Sequence, residues 1–208
     1  ASGDSETQWS RLAARYLRKE FALSKEVKRA TVHIAGMGLY ELFINGQRIG
    51  DQVLAPAPTD YRKTILYNTY DVTPQLRKEN AIGVTLGNGR FYTMRQNYKP
   101  YKIPTFGYPK LRLNLIVEYM DGSKETIATN TSWKLTTEGA IRSNNEYDGE
   151  EYDARKELGN WTQSGYDDKS WIAAQRVSIP SGTLRAQIMP GMKVMDTLKP
   201  VSIQKLGD

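Results

Sequence analysis

Acidic side chains crowd one short stretch of the chain: Glu146, Asp148, Glu150, Glu151, Asp153 and Glu157, with Asp167 and Asp168 beyond. Paired carboxylates are all that glycoside hydrolysis requires, one acting as acid and the other as base or nucleophile. The same oxygens could contact a ligand or hold a hard cation such as calcium. The plainer reading is a solvated loop in which Asp153 pairs with Arg155 or another Arg. Glu146, Asp148 and Glu150 would share one face of an unbroken strand, but Gly149 is expected to interrupt it.

Tyrosine and tryptophan are the second resource, thirteen and four residues against four phenylalanines. Their flat apolar faces with a polar tip suit the hydrogen-bearing face of a pyranose. Tyr92, Tyr98, Tyr101 and Tyr108 crowd a single stretch, where packing and binding are both open readings. Trp133, Trp161 and Trp171 read as core or hairpin anchors. Asn88 and Arg90 flank Gly89, and an exposed amide and guanidinium at a loop tip would serve sugar hydroxyls, which need donors and acceptors. Asn88 could instead only supply turn geometry. His33 has no visible partner in a strand-like run and reads as structural.

Composition removes several classes of chemistry. The chain has 208 residues and no Cys, which excludes a disulfide scaffold, a zinc finger, an iron–sulfur site and a thiol nucleophile. One His excludes His-rich metal sites. No run approaches the ~18 unbroken apolar residues of a spanning helix, so no membrane partner is expected. The net charge of +6 is consistent with an acidic partner. The basic residues are scattered, however, and no nucleic-acid-binding module is recognisable around them. Ala1 to Gln8 lacks the basic-then-apolar layout of a signal peptide, and location cannot be read from it.

The elements that must carry these residues are short strands. Tyr40, Leu42 and Ile44 alternate with Glu41, Phe43 and Asn45, and Asn45–Gly46 then turns into Gln47–Ile49. Asn–Gly between alternating apolar residues is the strongest short hairpin signal, because both turn positions want φ > 0. Asp121–Gly122 repeats it between Leu111–Tyr119 and Lys124–Ala128. Further strand-like runs are Arg29–Ile34, Ile65–Tyr70, Ala81–Leu86, Ser132–Thr136, Ala173–Val177, Leu184–Ile188 and Lys193–Thr197. Trp9–Leu23 has helix-like spacing, but after Ala14 an edge strand is the favoured reading. No βαβ alternation or internal repeat is present, and an antiparallel sandwich or barrel follows. Two long loops stand out, Asp51–Thr64 and Gly89–Tyr108, and loops of that length are often functional.

Several blocks are more specific. They are Gly38-Leu39-Tyr40-Glu41-Leu42-Phe43-Ile44-Asn45-Gly46, Leu54-Ala55-Pro56, Thr59-Asp60-Tyr61 and Tyr67-Asn68-Thr69-Tyr70-Asp71-Val72-Thr73. Gly87-Asn88-Gly89-Arg90-Phe91-Tyr92 follows, then Tyr147-Asp148-Gly149-Glu150-Glu151-Tyr152-Asp153-Ala154-Arg155, Trp161 and Asp167-Asp168-Lys169-Ser170-Trp171. In this order, from about Ala14, the chain resembles the N-terminal accessory domain of bacterial α-L-rhamnosidases. The resemblance implies an all-β, antiparallel jelly-roll β-sandwich of the galactose-binding-like type over residues 9–190. A flexible segment, 1–8, would precede it, and an exit segment, 191–208, would lead toward a downstream domain. It also implies that the catalytic carboxylates lie on a separate (α/α)₆ helical barrel, which would be this domain's partner in the same chain. The parent would hydrolyse terminal α-L-rhamnosides with inversion, and this piece would not be an enzyme. Some family members bind rhamnose through this domain with calcium assistance. The matching positions are Asn88, Asp148 and Glu150, with Arg90 and Tyr92 beside them, and Asn88 and Asp148 are the expected ligands if calcium is bound. No other cofactor is required. Where relatives often have Trp after Gly-x-Gly, this chain has Arg90. The partner implied is L-rhamnose or a rhamnose-containing glycan, in a periplasmic or extracellular setting. The rival reading is a purely structural domain that supports the barrel and binds no sugar.

Overall fold

A computed structural model describes residues 12–93, 106–178, 180–202 and 204. The expected flexible segment 1–8 lies outside them, as does the 94–105 portion of the second long loop, with Tyr98 and Tyr101. Among the described residues thirteen strands follow in order: β1 (Arg15–Ala22), β2 (Val27–Met37), β3 (Leu39–Ile44), β4 (Gln47–Arg48), β5 (Thr64–Asp71) and β6 (Glu79–Gly87). They continue with β7 (Lys110–Tyr119), β8 (Lys124–Ala128), β9 (Lys134–Thr136), β10 (Ile141–Asn145), β11 (Gly149–Tyr152), β12 (Ile172–Ala173) and β13 (Thr183–Ala186). One sheet has the order β12-β9-β1-β6-β3-β4, a second β13-β5-β2-β7-β8, and β10-β11 stands as a separate hairpin. The chain passes repeatedly between the two large sheets, giving the expected jelly-roll sandwich.

Alternation places the core between these sheets. Ala30, Val32 and Ile34 of β2 and Leu113, Leu115 and Val117 of β7 point inward from one sheet. Leu42 and Ile44 of β3 and Ile82, Val84 and Leu86 of β6 face them from the other, with Trp133 among them. Two inner faces that interdigitate in this way are the ordinary way a sandwich removes apolar surface from water. The Asn45–Gly46 turn has φ of 51° and 82°, the two positive values that the sequence signal requires. The Asp121–Gly122 hairpin joins β7 to β8 as expected.

Several expectations are corrected. The strand after Ala14 is not at an edge: β1 pairs with β6 on one side and β9 on the other. Its second face is covered too, because Tyr16 packs edge-on to Trp161 (5.4 Å, 84°) in a cluster with Ala14 and Trp171. Gly83 makes room for that cover, since a Cβ there would come within 2.5 Å of Thr162 and 2.8 Å of the Trp161 ring. Of Ala173–Val177 only Ala173 lies in a strand, the two-residue β12, and Lys193–Thr197 forms no strand beyond a single bridge from Lys193 to Gln52. The last strand, β13, joins β5 in parallel. Among the described residues no helix is long and apolar enough to cross a membrane.

Candidate functional site

The Gly-Asn-Gly-Arg loop leaving β6 and the acidic hairpin β10–β11 meet at one end of the sandwich. Close backbone approach sets this meeting. A Cβ on Gly87 would lie 2.7 Å from Asn144 Oδ1, and one on Gly89, whose φ is +50°, would lie 2.7 Å from the Leu39 side chain. Asn88 is thereby drawn inside and is 2% exposed, not the exposed loop-tip amide expected from sequence. Its backbone N–H donates to Asn144 Oδ1 (2.6 Å), and its Nδ2 donates to the carbonyls of Leu12 (2.7 Å) and Asn144 (2.9 Å). Its Oδ1 accepts from Arg15 Nη1 (2.6 Å). Asn88 thus ties three separate segments together. Tyr92 is likewise buried, at 3% exposure, and stacks on Tyr108 with centroids 5.7 Å apart and planes 17° apart. Burial pushes its phenol up to about 12.

Arg90 stays at the surface rim. Its Nη1 donates to Glu146 Oε2 and to Tyr147 Oη, both at 2.9 Å, and the Glu146 contact raises its pKa. The hairpin turn that presents Glu146 is organised by Asn145, whose Oδ1 accepts the backbone N–H groups of Tyr147 and Asp148, each at 2.8 Å. Asn145 Nδ2 also donates to Asp148 Oδ2 (2.8 Å). The turn separates the acids that a straight strand would have aligned: Glu146 and Asp148 lie in it, and Glu150 follows in β11 after Gly149, at φ +74°. Asp148, Glu150 and Tyr152 are exposed. Of the five residues expected to meet a sugar, Arg90, Asp148 and Glu150 therefore share the surface, and Asn88 and Tyr92 lie beneath it as supports.

Several acids of this stretch are held by separate partners. Asp153 pairs with Arg155 (2.8 Å), as expected, which holds its carboxyl down near 2. Glu146 pairs with Arg90, Glu157 accepts from the Tyr152 hydroxyl, and Asp168 pairs with Arg18. A glycosidic general acid needs a raised pKa. Among the described residues every carboxylate with a resolved shift is lowered instead. Nor do Asn88 and Asp148 fit a calcium ion as they stand, because the Asn88 amide oxygen already faces the Arg15 guanidinium. No group of three or more His, Asp or Glu among the described residues gathers where a metal could sit. His33 bonds Thr69 Oγ1 (2.9 Å) across β2 and β5, a structural contact as expected.

Sequence reasoning missed three features. Arg15 is half-buried beneath the loop, and desolvation lowers its pKa to about 10. Asn144 anchors Asn88, a contact with no sequence signature. Arg18, Lys19, Glu20, Ser132, Lys134, Tyr166 and Asp168 line a polar cavity of about 250 Å³ on the outer face of β1. Only the alternation of charged residues along β1 hinted at it.

Comparison with known proteins agrees with this fold and its blocks. Residues 25–196 match the family model of the α-L-rhamnosidase N-terminal domain. An α-L-rhamnosidase of Formosa agariphila is 41% identical over 201 residues, covering 94% of this chain and 21% of that protein. The solved α-L-rhamnosidase of Dictyoglumus thermophilum superposes with a TM-score of 0.81 at 46% identity, over 91% of this chain and 20% of that one. The Streptomyces avermitilis α-L-rhamnosidase, solved in complex with L-rhamnose, superposes with a TM-score of 0.71 at 38% identity, over 82% of this chain and 17% of that one. The chain spans about a fifth of the length of these relatives. It belongs to the α-L-rhamnosidase N-terminal domain family.

Proposed function

We propose that this chain is a non-catalytic accessory domain of an α-L-rhamnosidase, and that it docks on the downstream part of that enzyme through residues 187–202. The observation that carries this reading is a run of exposed large apolar residues: Ile188 (94%), Met189, Met192, Val194, Met195, Leu198 (92%) and Val201. The run is tethered alongside the 51–55 loop, where Val53 N–H donates to the Met192 carbonyl (2.8 Å) and Lys193 pairs with Asp51 (2.5 Å). Leu54, in the same 51–55 loop, is exposed as well. Contiguous apolar surface of this kind marks an interface. Limited proteolysis tests it: the 187–202 segment should be cut readily in the chain alone and be protected within the full-length rhamnosidase. Equal cleavage in both would overturn the docking. The chain alone should release no p-nitrophenol from an aryl α-L-rhamnoside that the full enzyme cleaves.

A second reading, contact with a rhamnose-containing glycan, is favoured by the convergence of Arg90, Glu146, Tyr147, Asp148 and Glu150 on one exposed corner. Guanidinium and carboxylates together supply the donors and acceptors that sugar hydroxyls require. Titration with L-rhamnose, with and without Ca²⁺, should give weak saturable binding, because few contacts must offset the cost of immobilisation. Arg90→Ala and Asp148→Ala should each reduce it several-fold. A flat titration to tens of millimolar would leave docking as the domain's role.

A further inference from the structure

Arginine side chains in this chain are, where the structure withdraws them from water, given acidic partners. Arg18 has Asp168 and Glu20, Arg90 has Glu146, and Arg142 has Glu138. Arg15 is different. Its guanidinium donates to two neutral oxygens, Asn88 Oδ1 (2.6 Å) and the Ala13 carbonyl (3.2 Å), and forms no ion pair with any Asp or Glu of the described residues. Both bonds leave from Nη1, so the Nε–Nη2 edge of the fork has not been used. That edge presents two parallel N–H groups, the geometry that matches a carboxylate. A cation withdrawn from water without a counter-charge is unfavourable, and an arriving anion relieves that cost. The Tyr92 and Tyr108 side chains lie close enough to Arg15 to act on its charge, and they are stacked on each other.

We propose that the Arg15 fork, beside the Tyr92–Tyr108 pair, receives the carboxylate of an acidic sugar. The inference rests on the reading that this end of the sandwich meets a glycan, and it names an anionic unit as part of that glycan. Asn88 holds the guanidinium in place through its own three anchoring bonds to Leu12 and Asn144, so the fork is positioned before a ligand arrives. The net charge of +6 adds long-range attraction for such a ligand. A sugar acid is favoured over a small free anion because Tyr108, half-buried and backed by Tyr92, adds aromatic surface next to the charge.

The test is a ¹H–¹⁵N NMR titration of the chain with D-glucuronate, with D-glucose as the neutral ring and acetate as the ringless carboxylate. Saturable shifts at the Asn88 and Tyr92 amides are expected with glucuronate, and binding at least tenfold weaker with either control. Arg15→Gln should abolish the response while keeping an amide donor for Asn88, and Arg15→Lys should retain part of it. Glucose binding as well as glucuronate would overturn the role of the carboxylate, and acetate binding as well would overturn the role of the sugar. No glucuronate response in the unmodified chain would overturn the proposal whether or not the variants fold. L-Rhamnose shifts at residues 146–150 that persist in Arg15→Gln would show the neutral-sugar contact standing when this one fails. Glucuronate shifts without any rhamnose response would show the reverse.

Discussion

Arg18→Ala is expected to cost the domain about 3–5 kcal/mol, the range for removing one partner of a buried charge network. Arg18 is 1% exposed in the middle of β1. Its Nε donates to the Trp161 carbonyl (2.9 Å) and its Nη2 to the Gln163 carbonyl (3.0 Å). It also pairs with Asp168 and Glu20 and sits 5.4 Å from the Tyr166 ring centre. One side chain thus closes the 161–168 segment over β1. Its loss strands two carbonyls and opens space beside Trp161. Asp168 and Glu20 are 24% and 38% exposed at the side chain, so water can recover part of their solvation, which favours the lower end of the range. At roughly 2–4 °C per kcal/mol for a domain of this size, the melting temperature should fall by about 6–20 °C. Arg18→Met should recover some of the loss by filling the space. A denaturation midpoint for Arg18→Ala that corresponds to under ~1 kcal/mol would place Arg18 with ordinary surface positions and refute the bracing role.

Gly38→Ala is the second large effect. Gly38 joins β2 to β3 with φ +126°, and a Cβ there would lie 2.2 Å from the Gly87 carbonyl oxygen. The obstacle is backbone, which cannot rotate aside. The left-handed conformation costs a residue with a Cβ about 1–3 kcal/mol, and the forced displacement adds about 1–3 kcal/mol. The displacement is felt where it matters, because Leu39 pairs with Gly87 and Gly87 opens the Asn88–Arg90 loop. The expected result is a loss of about 2–6 kcal/mol together with NMR shift changes at Asn88 and Arg90. Gly122→Ala is the control, since Gly122 has φ +80° with nothing within 4 Å of its would-be Cβ. It should show the conformational cost alone. Equal losses in the two variants would refute the argument from close approach.

Much of the sandwich was legible because a half-buried strand writes its buried face into every second residue. β3 with its Asn45–Gly46 turn, and β7 with Asp121–Gly122, depend on contacts a few residues apart and were readable within a residue or two. β1 reads as an edge in sequence because its second hydrogen-bonded neighbour, β9, arrives from residues 134–136, far along the chain. The short exit elements failed for the opposite reason. Lys193–Thr197 has strand-like residues but no strand partner beyond the Gln52 bridge, and a strand without a partner does not form.

The candidate site divides along the same line. Residue types and order alone determined the all-β class, the exclusion of thiol chemistry and His-rich metal sites, the family blocks, and the importance of residues 87–92 and 146–153. Which of those residues reach solvent was decided only in three dimensions. Asn88, in a turn-forming Gly-x-Gly, turned inward because Leu12 and Arg15 from one distant segment and Asn144 from another converge on it. Arg90 stayed outside because the β10–β11 turn brings Glu146 to its guanidinium. Arg15 lost its water because the β1–β6 register sets it opposite Leu86, next to the loop that follows. Periodicity is local and can be read one residue after another. Burial of a polar group depends on which remote segments arrive to satisfy it, and that is settled only when the sheets have closed.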